Sequence, residues 1–356
     1  MNDYDELVEE ERKKILKIKS RRFSFLILST IAIIIVVGYS FTVGSSSLTA
    51  VEAYKILFNQ IFPGFFEVNE TYVFVVMEIR APRVLGALFI GMVLAIGGCL
   101  IQSILKNPLA TPYTLGISAG AGFGVNLLYI FGISIVSGTF GLITNAFIFS
   151  MIPAIIMIFA VVVKKMSPVV MVLTGIAISY LFSALNMLSQ YFGDSTSVQD
   201  VVLWSIGDLS SICLWQIPYV IFAFFIIFIY SMLIGKNLDI MRMGDDSAKS
   251  LGINTHRLRS VTVILTCVAT AIVVAFAGPI GFICILSPQI GRKIIGNNTR
   301  WLVPTSAIIG GMLLLIADII AKSILAPIML PVGAITALIG APVLVYMLFS
   351  KKGAMA

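Results

Sequence analysis

The sequence predicts an all-α, polytopic membrane protein of about ten transmembrane helices. Three observations predict it. Of 356 residues, 59% are hydrophobic and only 12% are charged, about half the charged share of a soluble domain. The charge is clustered, so the tracts between clusters reach the roughly 20 apolar residues that cross a bilayer as a helix. These tracts are continuously apolar, which excludes the short alternating strands of a membrane β-barrel. Finally, the basic residues distribute asymmetrically once ten spans are threaded from an inside N-terminus.

The chain opens on a charged, helix-prone tail, residues 1–22, in which Glu9–Lys13 and Glu10–Lys14 are i,i+4 pairs. Its basic block "KIKSRR" holds it in the cytoplasm. The following run, Phe23–Val43, is too long for a signal-peptide core and lacks a cleavage pattern, so it reads as an uncleaved first span. Further spans are expected at Pro82–Leu105, Tyr113–Ile133, Gly141–Val163, Pro168–Phe192 and Trp215–Ile234. After a cytoplasmic segment, 236–257, come Leu258–Ala277, a short Ile280–Ile290 extendable to Ile295, Trp301–Ala321 and Leu330–Phe349. Residues 23–349 thus form one transmembrane domain, and 350–356 a short cytoplasmic tail.

With this threading, 20 of the 24 basic residues face the cytoplasm and only Lys55, Arg80, Arg83 and Lys322 face outward, the asymmetry expected of a correctly oriented chain. Both termini are then cytoplasmic. Arg80 and Arg83 stand at the outer mouth of the second span, and Lys322 at the outer end of the ninth. They admit two readings: lipid headgroup contact or local pairing, with Glu78 near Arg80 and Asp318 i,i+4 to Lys322, or a cationic rim that docks an acidic partner.

Gly116, Gly120 and Gly124 recur four apart, a spacing that lets neighbouring helices approach closely. The "GAGFG" among them is no nucleotide loop, because it lies inside an apolar span rather than between strand and helix. Polar side chains within the spans, Gln102, Asn126, Asn145, Asn186 and Gln190, suit interhelical hydrogen bonds. No ionisable group falls near a span's centre, which argues against an ion-coupled carrier. No carboxylate pair or nucleophile–base pair appears there either, which argues against an intramembrane enzyme. The four cysteines are scattered and His256 is the sole histidine, so no metal site, catalytic residue or cofactor is expected.

The cytoplasmic stretch "MGDDSAKSLGI" reads as a short capped helix. Asp245 is the expected N-cap, Asp246 sits in the first turn, Ala248 and Leu251 share a face, and Gly252 closes the helix. By itself this is an ordinary loop helix or a knob for a cytoplasmic partner.

Taken in order, "RAPRVLGALFIGMVLAIGGCLIQSILKNPLATPYTLGISAGAGFG", "MGDDSAKSLGI", "AFAGPIGFICILSPQIGR", "VPTSAIIGGMLLLIADIIAK" and "LPVGAITALIGAPVLVYML" resemble the permease subunits of type II ABC importers, which move iron–siderophore complexes, haem or cobalamin. The resemblance spans about Met77 to Phe349. It implies the type II importer permease fold, and no catalysis by the chain itself. It implies pairing with a second copy or a close paralogue, two cytoplasmic ATP-binding subunits and an extracytoplasmic substrate-binding protein, with membrane lipid around and no nucleic acid.

Carried across by motif, Arg80, Arg83 and Lys322 would meet glutamates of the binding protein. Gly244, Asp245, Ala248, Leu251 and Gly252 would form the coupling helix, and Ser167 of "KKMSP" would fall at the cytoplasmic gate. The sequence departs from the family at Thr111, where Asp is common, and at Gln289, where His is common. Met329 stands where an acid is common, and Lys322 where Arg is common, which loses the bidentate fork. An oxyanion such as molybdate stays open as cargo.

Overall fold

The computed structural model describes residues 2–44, 48–163 and 167–349, all of it helix and connecting loop. The expected C-terminal tail, 350–356, and the lysines of "KKM" lie outside the described residues. Seven helices are long and apolar enough to cross a membrane. Two shorter apolar helices and one amphipathic helix of 13 residues occupy the other three expected spans.

Helix α1 (Asn2–Thr42) is one continuous rod of 41 residues, about 60 Å long. The expected tail and first span are therefore a single element, with the Glu9–Lys13 pair closed at 2.9 Å on its charged half. Two helices form where the sequence offered only polar interruptions. α2 (Ala50–Ile61) starts at a capping box in which Thr49 and Glu52 satisfy each other's backbone amides. Further on, α8 (Ser195–Ile206) starts at Asp194, whose carboxylate accepts the Ser197 amide at 2.7 Å.

The second span begins earlier than expected. α3 (Glu70–Phe74) passes through a π-helical turn, Val75–Arg80, directly into α4 (Ala81–Leu105). Pro82 does not stop it, because a proline in the first turn lacks only an amide that would be unpaired anyway. α4 is the central post of the bundle, with 21 of its 25 residues buried. It ends on Lys106 in the left-handed conformation, φ 51°.

After α4 the chain turns back into the protein instead of crossing outside it. Pro112 packs at the level of Gly97, about 12 Å up the α4 axis from its end. Only then does α5 (Ile117–Tyr129) begin, so the third span is half irregular and half helix. The eighth behaves alike: α11 (Thr255–Ala277) leads through Gly278–Phe282 into the 13-residue α12 (Ile283–Ile295). The two irregular stretches meet where the Ile280 amide donates to the Tyr113 hydroxyl at 3.3 Å. Ala110, Thr111, Pro112, Gly278 and Ile280 are all buried, as irregular backbone at membrane depth must be.

The remaining spans are α6 (Gly141–Val162), α7 (Pro168–Tyr191), α9 (Ile217–Arg242), α13 (Thr299–Ser323) and α14 (Val332–Phe349), with α10 (Asp245–Ser250) between α9 and α11. Glycine sets the closest approaches. A Cβ on Gly91 would lie 2.8 Å from the Gly310 carbonyl carbon of α13, and one on Gly98 would lie 2.7 Å from the Cys284 carbonyl carbon of α12.

Gly120 and Gly124 pack on α6 at Phe149, Pro153 and Asn145. Gly116 is not on their helix as expected. It precedes α5 with φ 91°, a conformation the chain needs to turn out of the irregular stretch, and it packs on Ile178 and Pro153.

The polar side chains bridge helices. Asn126 donates to Asn186 at 2.7 Å, Asn186 donates to the Ala119 carbonyl at 3.1 Å, and Asn145 donates to the Gly124 and Ile133 carbonyls.

Candidate functional site

Two charged clusters sit at the two ends of α4, separated by about 35 Å along its axis. The first gathers the three outer cations. Arg80 is held by the π-helical turn and donates to the Phe41 carbonyl of α1 at 2.6 Å. Arg83, one turn later, donates from Nε to Asp318 Oδ1 of α13 at 2.5 Å. Lys322, a turn beyond Asp318, lies 2.8 Å from the other carboxylate oxygen and donates to Ser40 at 3.2 Å. One aspartate thus serves two cations and ties α1, α4 and α13 together.

The cations are not a surface rim in this chain. Arg80, Arg83 and Lys322 are only 5%, 3% and 6% exposed, and Asp318 is fully buried. The local pairing of Asp318 with Lys322 is present, whereas Glu78 is not the partner that holds Arg80. The Arg83–Asp318 pair, 235 residues apart in sequence, carried no local signal. Above Arg83, Nη1 meets only the thioether of Met329 at 3.2 Å, and Nη2 has no hydrogen-bond partner.

The second cluster surrounds α10. Gly244, not Asp245, occupies the N-cap, with φ 140° that a side chain would strain. Asp245 is the first helical residue, and its carboxylate is drawn inward. Lys106 donates to Oδ1 at 2.9 Å and Arg259 of α11 donates to Oδ2 at 3.0 Å. Burial acts to raise its pKa, but these two donors outweigh it and hold the carboxyl below its ordinary value. Ala248 is fully buried while Leu251 is 66% exposed. The two therefore do not share a face: Ala248 plugs α10 onto the bundle and Leu251 projects from it. Gly252 follows the helix end with φ 80° in open space.

Polar contacts continue from this cluster into the bundle. Arg242 donates to Ser103 at 2.7 Å, Arg292 to Gln102 at 2.6 Å, and Gln102 in turn to the Cys284 carbonyl at 3.3 Å. Asp239 accepts from the Thr299 amide and hydroxyl at the start of α13. Gln289 donates to the Pro108 carbonyl at 2.8 Å. The ends of α4, α9, α10, α11, α12 and α13 are therefore joined through side chains that the sequence alone did not connect. Ser167 is the N-cap of α7, accepting the Val170 amide at 3.5 Å. Among the described residues, no group of three or more His, Cys, Asp or Glu is placed to hold a metal ion.

A helical bundle with broken helices meeting in its interior, charge only near helix ends and a short helix projecting at one end defines a membrane transport permease. Residues 31–350 match the FecCD transport family, and the chain belongs to that family. An ABC transporter permease of Methanocaldococcus jannaschii is 38% identical over 83% of this chain and 87% of its own. The iron-uptake system permease FeuC of Bacillus subtilis is 34% identical over 90% of this chain and 96% of its own. A solved structure described as an inward-facing metal-chelate type ABC transporter superposes with a TM-score of 0.78, at 26% identity, over 92% of this chain and 99% of that one.

Proposed function

We propose that the chain is the membrane subunit of an ATP-driven importer whose cargo is a metal chelate, with chelated ferric iron as the first candidate. The observation that carries this is the family match along the whole bundle, supported by a relative that serves iron uptake and a structural neighbour of metal-chelate type. Two copies, or one copy and a close paralogue, would enclose the path. Two ATP-binding subunits would seat the α10 segment, Gly244 to Gly252, through projecting Leu251. An extracytoplasmic binding protein would dock over Arg80, Arg83 and Lys322. Residues 1–22, the segment 236–257 and the C-terminal tail face the cytoplasm in this reading, within a cell membrane.

Cargo delivery would proceed by alternating access: ATP closes the ATPase pair, α10 moves, and the Asp245 contacts pass that motion to α4 and α11. Reconstitution with the ATPase and binding protein encoded beside it tests the reading. ATP-dependent uptake of a ferric siderophore or ferric citrate into proteoliposomes is expected. Uptake of molybdate instead would overturn the cargo, and uptake driven by a proton gradient without ATP would overturn the class. For the orientation, a cysteine beside Arg83 should label from outside intact cells and one beside Lys249 should not.

A further inference from the structure

Arg83 is buried but incompletely partnered on one side. Its Nε is committed to Asp318 at 2.5 Å, and that carboxylate is shared with Lys322. The other edge of the guanidinium has Nη2 with no hydrogen-bond partner and Nη1 on the sulfur of Met329. A thioether is a weak acceptor, and an unpaired buried donor is costly. What covers this edge is thin. Met329 is 42% exposed and belongs to the loop after α13, where Ile324, Leu325 and Ile328 are 62%, 56% and 67% exposed. Methionine, with three rotatable bonds, moves aside readily.

We propose that the Nη1/Nη2 edge of Arg83 is a receptor for one carboxylate of an acidic protein surface, and that Met329 is its displaceable cover. This rests on the docking reading above and names the residue that regulates it. A carboxylate there would satisfy both nitrogens at once, in the bidentate geometry that suits guanidinium. The Asp318 bond would stay, so docking would not dismantle the α4–α13 tie. The apolar side chains of the loop would meet the partner beside the ion pair, giving the contact an anchor as well as a charge. By the same chemistry, an acid at position 329 would fill the receptor from within the chain and compete with the partner.

The test uses the full chain in lipid nanodiscs at low ionic strength, with hexaglutamate as the probe and hexaglutamine as the control. Hexaglutamate should bind the wild type, Arg83→Gln should weaken it at least tenfold, and Met329→Glu should weaken it to a similar degree. Met329→Gln, equal in size and neutral, should bind like the wild type, which separates a filled receptor from a misfolded loop. Loss in Arg83→Gln with undiminished binding in Met329→Glu would overturn the role of Met329 and leave docking at Arg83 standing. Undiminished binding in Arg83→Gln, or none to the wild type, would overturn both. Equal weakening in Met329→Gln and Met329→Glu would overturn the competition argument.

Discussion

Lys106, the left-handed residue that closes α4, donates across 2.9 Å to Asp245 in the first turn of α10. Arg259 holds the second oxygen of the same carboxylate, so one side chain joins the projecting helix to two spans. A push on α10 therefore reaches α4 and α11 without an intervening loop to absorb it.

Asp245→Asn should break that transmission. The amide cannot accept from both cations, and Arg259, nearly fully buried, loses its charged partner. Lost charge-assisted hydrogen bonds of this kind are worth about 1.5–3 kcal/mol. In the reconstituted transporter, cargo moved per ATP should fall while ATP hydrolysis persists. Tight coupling in this variant would remove Asp245 from the path of motion.

The same carboxylate gives a signed pH response. Its pKa in the folded protein is below the ordinary value, so its contribution to stability is complete above about pH 4, the unfolded carboxyl value, and is lost as pH falls through the lower folded value. Thermal unfolding in detergent should show no Asp245-dependent change between neutral pH and mild acid. The wild type and Asp245→Asn should then converge only in stronger acid.

Asp318→Leu should be more damaging than its position near a helix end suggests. It leaves Arg83 and Lys322 buried without their shared anion, a loss of about 3–5 kcal/mol. The triple change Asp318→Leu, Arg83→Met, Lys322→Met should recover much of that, because apolar replacement of a whole buried cluster is often neutral. Melting curves of the single and triple variants make the comparison. A triple variant no better than the single would mean that the cations pack through more than charge.

Gly98→Ala should lower the melting temperature more than Gly252→Ala. The first puts a methyl 2.7 Å from a backbone carbonyl carbon of α12, where yielding means moving a helix, at about 1–3 kcal/mol or more. The second has open space and costs only its left-handed conformation, about 1–2 kcal/mol, confined to the end of α10.

Composition and apolar runs made most of the bundle legible. α6, α7, α11 and α13 begin and end within three residues of expectation, because a lipid-facing helix needs little more than length and apolarity. The misses share a different cause. Tyr113–Ile133 and Ile280–Ile290 are apolar throughout, yet each holds irregular backbone, since protein neighbours rather than lipid surround them. α2 and α8 were hidden by ordinary polar composition, although the Thr49–Glu52 and Asp194 caps were readable signals. Asp245 was mistaken for a cap because aspartate suits that role locally, whereas Lys106 and Arg259 recruit it from afar. Arg83 was recognised as special, but its partner on α13 was beyond any local rule.

Where Gly91 meets Gly310 and Gly98 meets α12, backbone lies against backbone with no side chain to deform. Gly120 and Gly124 do the same between α5 and α6. Such seams tolerate neither sliding nor twisting, so they weld α4, α12 and α13 into one plank and α5 and α6 into another. Any gate in this bundle must then open by the planks tilting as whole pieces, pivoting where Tyr113 touches Ile280.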